Sequence, residues 1–139
     1  MKLRRILALV ALALPLLAAC NDDSTGSGEA SIPGTYTLRT VQGKKLPVTV
    51  PSGTGADVTI TSGATTLQPN ETYTLQLTFR TTEGTVVKTE TYTEQGTYIL
   101  NLDYDRITFV RSPSDSYPAS IGDGKMVVDE EGLAFVYRK

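Results

Sequence analysis

Alternation of apolar and polar residues is the dominant pattern of the chain from Ile32 onward. The clearest run is residues 73–79, where Tyr, Leu, Leu and Phe alternate with Thr, Gln and Thr. A period of two places successive side chains on opposite faces of a strand, so it predicts strands with one buried and one solvated face. No apolar set recurs at helical spacing over more than about one turn. The pattern therefore predicts an all-β domain.

Turn residues separate these runs. Pairs and triplets such as Glu83-Gly84 and Gly122-Asp123-Gly124 are typical of tight turns. Short strands at intervals of roughly ten residues, joined by such turns, predict an antiparallel meander that closes into a barrel or packs as a sandwich. We expect looser connections at residues 47–55 and 112–118.

A short phrase centred on tyrosine recurs in the chain. It reads Gly-Thr-Tyr-Thr-Leu at residues 34–38 and Glu-Thr-Tyr-Thr-Leu at 71–75, with shorter forms at 90–93 and 96–98. Its irregular spacing excludes a solenoid repeat of fixed period. We interpret each copy as the start of a strand with an inward aromatic residue. The predicted interior consists of Tyr36, Leu38, Ile60, Leu75, Leu77, Phe79, Leu100, Phe109, Val128 and Phe135.

The first twenty residues have the order of a secretion signal. Basic residues at positions 2, 4 and 5 precede an apolar stretch at 6–17, and two alanines then lead to Cys20. The stretch is too short for a spanning helix and predicts a signal peptide over residues 1–19. Leu17-Ala18-Ala19-Cys20 resembles the lipobox of bacterial lipoproteins. The resemblance implies that Cys20 is acylated and anchors the protein to the inner or outer membrane, facing the periplasm or the cell surface.

The segment that follows Cys20 is polar and acidic. Residues 21–31 are rich in Asp, Ser and Gly, cannot bury enough apolar area to offset their ordering entropy, and predict a flexible tether. We therefore divide the chain into a signal peptide (1–19), a tether (20–31) and a β-domain (32–139). The length after the signal peptide suffices for one domain with a modest core.

Composition excludes several classes of function. The chain has no histidine and one cysteine, which excludes a disulfide, Ser-His and Cys-His catalysis, and zinc sites that need imidazole. Without the three basic residues of the signal peptide, 10 basic residues oppose 15 acidic ones. A net charge near −5 with no basic run argues against nucleic acid as a partner.

Acidic residues cluster at two predicted turns. Asp103 and Asp105 could share a calcium ion if they lay on one face of an extended chain, and residues 129–131 could attract a cation. Solvated turns explain both clusters more simply, because Asp and Glu are common there. No carboxylate pair stands out for glycosidic chemistry, and no serine has a patterned lysine base. We predict no catalytic residue, no metal site, no cofactor and no enzymatic activity.

The order of the motifs from Gly34 to Lys139 resembles the small lipocalin-like domains of bacterial lipoproteins. Lipocalins begin their first strand with Gly-x-Trp and place a basic residue over that ring, and Gly34, Tyr36 and Arg138 stand in the corresponding places. The resemblance implies an up-and-down barrel of about eight strands that holds a small apolar ligand. It also implies that Arg138 stacks on Tyr36 at the closed end.

Aromatic residues that point into such a barrel have two possible roles. They could line a ligand pocket with their hydroxyls as polar contacts, or they could simply fill the interior. The first role predicts a binding module of the cell envelope for a small hydrophobic ligand or an envelope protein. The second predicts a structural or protein-interaction lipoprotein with a filled barrel. The candidate ligand-binding residues are Tyr36, Tyr73, Leu77, Phe79, Tyr98, Phe109 and Phe135.

The anchor can be tested directly. Replacing Cys20 with Ala removes the only thiol to which a lipid could be attached, so the protein should move from the membrane fraction to the soluble fraction. Fractionation followed by immunoblotting measures this. Continued membrane association of the Cys20→Ala protein would contradict a lipid anchor at this position.

Overall fold

A computed structural model of the protein describes residues 31–50, 52 and 56–139. The predicted signal peptide, Cys20 and the tether up to residue 30 lie outside the described residues. Within the described ranges, no helix is long and apolar enough to cross a membrane.

The described chain is built from ten β-strands and a single turn of 3₁₀-helix, as the alternation predicts. Strands with apolar residues at every second position hide those residues inside, and the turns fall at the expected Gly, Asn and Asp positions. The strands are β1 (Gly34–Val41), β2 (Lys44–Lys45), β3 (Val48–Val50), β4 (Asp57–Leu67), β5 (Thr72–Glu83), β6 (Val86–Asn101), β7 (Arg106–Ser112), β8 (Asp115–Gly122), β9 (Lys125–Glu130) and β10 (Leu133–Arg138), with the 3₁₀ turn at Leu102–Tyr104.

Eight of these strands form a closed antiparallel barrel. Strand β1 pairs with β10 on one side and with β4 on the other, and β4 to β10 follow each other in sequence order around the barrel. The short strands β2 and β3 belong to the connection between β1 and β4 and pair with those two strands. The predicted up-and-down barrel of about eight strands is confirmed, and one closed sheet takes the place of the alternative sandwich.

Buried side chains fill the end of the barrel where β1 begins and β10 ends, and at the opposite end Val41, Val48 and Ile60 pack on the side of β1, β3 and β4. Tyr36, Ile107, Phe109 and Met126 are each at most 1% exposed at the first of these ends. Of the ten residues predicted for the interior, seven are buried, and Leu77, Phe79 and Leu100 are half-buried. Leu77 and Phe79 lie toward the opposite end of β5, where the packing opens. We call these two ends the closed end and the open end.

Lysine rather than arginine lies over the aromatic ring at the closed end. The Nζ atom of Lys139 is 5.8 Å from the centroid of the Tyr36 ring and donates hydrogen bonds to the carbonyl oxygens of Pro33, at 2.6 Å, and Ser31. The prediction of Arg138 differs from the structure by one residue. Tyr137 is buried, so the alternation of β10 turns the exposed Arg138 outward, and only the residue after the strand folds back over the end.

Two strands are longer than the sequence pattern suggests. Strand β6 has 16 residues and runs without a break through both tyrosine phrases at 90–93 and 96–98, so these phrases are not two separate strand starts. Strand β5 pairs with it along twelve residues, from Thr72 to Glu83. The connection at 112–118 is also tighter than predicted, because β7 and β8 continue the ladder to Ser112 and Asp115.

Candidate functional site

A pocket of about 240 Å³ lies at the open end of the barrel. Its walls are mostly apolar, and a small group of charged and phenolic side chains stands on one side. The lining residues are Leu75, Leu77 and Phe79 of β5, Tyr92 and Glu94 of β6, Arg111 of β7, Val128 and Glu130 of β9, and Phe135 and Tyr137 of β10.

A buried carboxylate is the most unusual feature of this pocket. Glu94 is only 7% exposed, and it stands directly opposite Leu75 in the ladder between β6 and β5. It lies on the inward face of β6, together with Tyr92, two residues before it, and Tyr98, four residues after it. A carboxylate in this position must be compensated by hydrogen bonds or opposite charge, because burying it alone is very costly.

Four donors from four strands satisfy the carboxylate. The hydroxyls of Tyr73 and Tyr117 donate to Oε1 at 2.6 Å and 2.7 Å. The hydroxyl of Tyr92 and the Nε of Arg111 donate to Oε2 at 3.1 Å and 2.6 Å. An ionised carboxylate has about four lone-pair sites, so Glu94 has no acceptor capacity left for a ligand. Its role in the pocket is to hold four neighbouring side chains in place.

The pKa values of these groups follow from the hydrogen bonds. Burial by itself would raise the pKa of Glu94, but the hydrogen bonds from Tyr73, Tyr117, Arg111 and Tyr92 outweigh it and lower the pKa below its ordinary value. Burial and the hydrogen bond to Glu94 raise the pKa values of Tyr73 and Tyr117. At neutral pH the carboxylate is therefore charged, and the phenols are protonated donors.

Arg111 extends the network to the rim of the pocket. Its Nη2 donates to Glu130 at 2.6 Å, and its Nη1 lies 3.7 Å from Asp115. The centre of the guanidinium is 4.3 Å from the centroid of the Tyr117 ring, within the range of a cation–π contact. The hydrogen bonds to Glu130 and Glu94 raise its pKa although burial opposes them. Three carboxylates thus surround one cation, which leaves the group with a net negative charge.

Aromatic packing supports the network from below. Phe109 meets Tyr73 edge to face with ring centroids 4.7 Å apart and stacks on Tyr117 at 5.1 Å. Gly96 makes this arrangement possible, because a Cβ there would lie 2.3 Å from the carbonyl oxygen of Val110 and 2.9 Å from the Tyr73 ring. Any larger residue at position 96 would displace either β7 or the tyrosine that reaches Glu94.

The structure separates the candidate ligand-binding residues into two groups. Leu77, Phe79 and Phe135 line the pocket. The others are buried in the packed interior, and of these Tyr73 also takes part in the network through its hydroxyl. The buried group is Tyr36, Tyr73, Tyr98 and Phe109.

Sequence reasoning missed the polar half of the site. Glu94 and Arg111 were not among its candidates, and its ligand-binding residues did not include Tyr92 or Tyr117. Glu130 was treated only as part of an acidic turn. One signal was available for Glu94, which lies in phase with Tyr92 and Tyr98 and so falls on the inward face of one continuous strand. The interpretation of the tyrosine phrases at 90–93 and 96–98 as two strand starts obscured this continuity.

The acidic pair at 103–105 belongs to a turn. Asp103 lies within the 3₁₀ turn, and Asp105 adopts the left-handed conformation just after it, with a φ of 49°. Both are exposed, and the chain between them turns, so the shared face of an extended strand on which the calcium hypothesis rested is absent. In the part of the chain that the structure describes, no group of three His, Cys, Asp or Glu residues is placed to hold a metal ion.

The charge of Glu94 should be essential to the stability of the barrel. Glu94→Gln keeps the shape of the side chain but removes the partner of Arg111. We expect the free energy of unfolding at pH 7, measured by urea denaturation, to fall by about 1.5–3 kcal/mol, the value of one hydrogen bond to a charged group. Glu83→Gln, at the exposed end of β5, is the matched control and should change it by less than about 0.5 kcal/mol.

The same pair of variants should differ in acid. Because the pKa of Glu94 is lower in the folded than in the unfolded chain, its contribution is complete above the unfolded pKa and is lost as the pH falls through the folded value. The protein and the Glu83→Gln control should therefore lose more stability below about pH 4 than Glu94→Gln does. Equal acid sensitivity of all three proteins would contradict the role given to Glu94.

Comparison with known proteins adds no relative to this picture. No protein-family model, no curated protein and no solved structure matches the chain. A function for this protein has to come from the residues and the geometry of the pocket itself.

Proposed function

We propose that this protein is a lipid-anchored lipoprotein of the bacterial cell envelope whose barrel binds a small, mainly apolar molecule at its open end. The observation that carries the proposal is the contrast between the two ends of the barrel. The closed end is filled with side chains, whereas Leu77 and Phe79 are left half-buried around the pocket. Apolar walls with a few fixed polar groups are typical of ligand sites.

The position of the chain entrance agrees with a membrane anchor. Ile32 lies at the closed end, where its carbonyl accepts a hydrogen bond of 2.8 Å from the Tyr36 hydroxyl. The pocket is at the other end of the barrel. A lipid on Cys20, joined through the tether, would hold the closed end nearer the membrane and leave the pocket facing away from it.

Size and charge define the class of ligand. The pocket, at about 240 Å³, exceeds the roughly 150 Å³ cavity that binds benzene but is smaller than the roughly 300–1,000 Å³ of sites for drug-sized molecules. The single cation, Arg111, is already neutralised by Glu94 and Glu130. A ligand with an apolar body and a neutral or cationic head therefore fits better than a carboxylate, which would meet net negative charge at the rim.

A ligand-free accessory role is the second candidate. It is supported by the packing of the closed end, where aromatic side chains such as Tyr36 and Phe109 fill the barrel. Under this proposal the pocket at the open end is only a gap in the packing, and the charged network serves stability alone.

Binding of three matched probes tests the proposal. Phenethylamine, 2-phenylethanol and 3-phenylpropionate share a phenyl ring and a two-carbon spacer and differ in the charge of the head. In NMR titrations to millimolar concentration, we expect the amine and the alcohol to shift the signals of Leu77, Phe79 and Phe135. The carboxylate should bind at least about tenfold more weakly because of the negative rim.

A matched pair of variants locates the binding site. Leu77→Phe should fill the pocket and abolish binding, whereas Ile99→Phe, on the outer face of β6 where Ile99 is 63% exposed, should leave it unchanged. Absence of binding by all three probes would favour the ligand-free role. Tighter binding of the carboxylate would contradict the proposed ligand class.

A further inference from the structure

The outer half of β6 has a free backbone edge. Strand β6 pairs with β5 from Val86 to Thr97, but with β7 only from Thr97 to Asn101. Among the described residues, no strand pairs with the other edge of residues 86–96. A long unpaired edge is a template for another strand, and proteins usually shorten, cover or charge such edges.

The direction of the hydrogen bonds on this edge follows from the ladder with β5. Tyr98 donates its backbone N–H to Glu71, on the β5 side, at 2.8 Å, and the register between the two strands is unbroken. Because N–H and C=O groups alternate sides along a strand, even-numbered residues bond to β5. The backbone N–H and C=O groups of odd-numbered residues, including Val87, Thr89 and Thr91, point to the free edge.

The side chains of this segment are complementary to themselves. When two copies pair antiparallel about a twofold axis at Thr89, Lys88 of each copy faces Glu90 of the other, and Val86 faces Tyr92. Opposite charges and aromatic–aliphatic pairs are the cross-strand contacts that stabilise sheets. Val86, Val87 and Tyr92, which are 55%, 57% and 49% exposed, would all gain a partner in this arrangement.

Charge selects this register over its neighbours. Only odd-numbered residues present hydrogen-bonding groups, so the pairing can shift only in steps that keep odd opposite odd. The adjacent registers are centred on Lys88 and on Glu90, and each brings two like charges face to face. Like charges directly opposite each other destabilise a sheet.

We propose that two copies of this protein associate through antiparallel pairing of the free edges of β6, with Thr89 on the twofold axis. The contact joins the two barrels at their open ends, beside the pocket residue Tyr92. It needs no ligand and does not depend on the function proposed above. Because the same patch serves both copies, the contact closes on itself and forms a dimer rather than a filament.

Cysteine cross-linking of the full-length protein tests the dimer, and the unsubstituted protein shows any dimer band that Cys20 gives by itself. A Thr89→Cys variant brings two thiols face to face, with Cα atoms about 5.5 Å apart, within the range of a disulfide. Thr93→Cys lies on the same edge, but its two copies would be about 27 Å apart at about 3.4 Å per residue. After mild oxidation, we expect a dimer band on a non-reducing gel for Thr89→Cys and none for Thr93→Cys.

Charge exchange in the Thr89→Cys background distinguishes this register from other contacts. Lys88→Glu and Glu90→Lys should each reduce the cross-linked fraction by about tenfold, because two facing pairs change from attraction to repulsion. The double variant should restore it. Lys88, Thr89 and Glu90 are all exposed, so these variants should fold, and circular dichroism checks this.

Two results would overturn the dimer. Cross-linking of Thr93→Cys to the same extent as Thr89→Cys would indicate random collision or a different register. Unchanged cross-linking in the single charge variants would mean that the facing Lys88 and Glu90 side chains do not set the register, and it would contradict the proposed contact.

Discussion

The buried carboxylate of Glu94 is the interaction on which the open end of the barrel depends. It accepts hydrogen bonds from Tyr73 on β5, Tyr117 on β8 and Arg111 on β7, and Arg111 continues to Glu130 on β9. With Glu94 itself on β6, one charge connects five consecutive strands. Burying that charge would be costly without these donors. The strands that carry them must therefore stay where their side chains reach Glu94.

This network explains why the two ends of the barrel differ. At the closed end, apolar and aromatic side chains such as Ile107 and Phe109 are fully buried inside the barrel, with Lys139 over the Tyr36 ring. At the open end, the polar side chains are held against the wall by Glu94 and cannot collapse into the centre. The space beside them is bounded by apolar residues such as Leu77 and Phe135 and remains available for a small molecule.

Local patterns predicted the architecture of the barrel but not the charged network beside the pocket. Alternation in each strand is a local property, and it correctly predicted an all-β closed barrel. Three of the residues that it places on inward faces, Leu77, Phe79 and Phe135, line the pocket. The burial of Glu94 depends on tyrosines and an arginine from three other strands, and no single segment carries that information. That Lys139 and not Arg138 lies over the Tyr36 ring has a similar cause, because it depends on where β10 ends.

Direct titration of Glu94 tests the central claim most sharply. The NMR signal of its side-chain carboxyl carbon, followed from neutral pH into acid, reports the pKa of this one group in the folded barrel. The account predicts a pKa below the ordinary value of glutamate, because four hydrogen bonds to the charged form outweigh burial. A pKa at or above the ordinary value would mean that burial dominates, and it would contradict the organising role of this carboxylate.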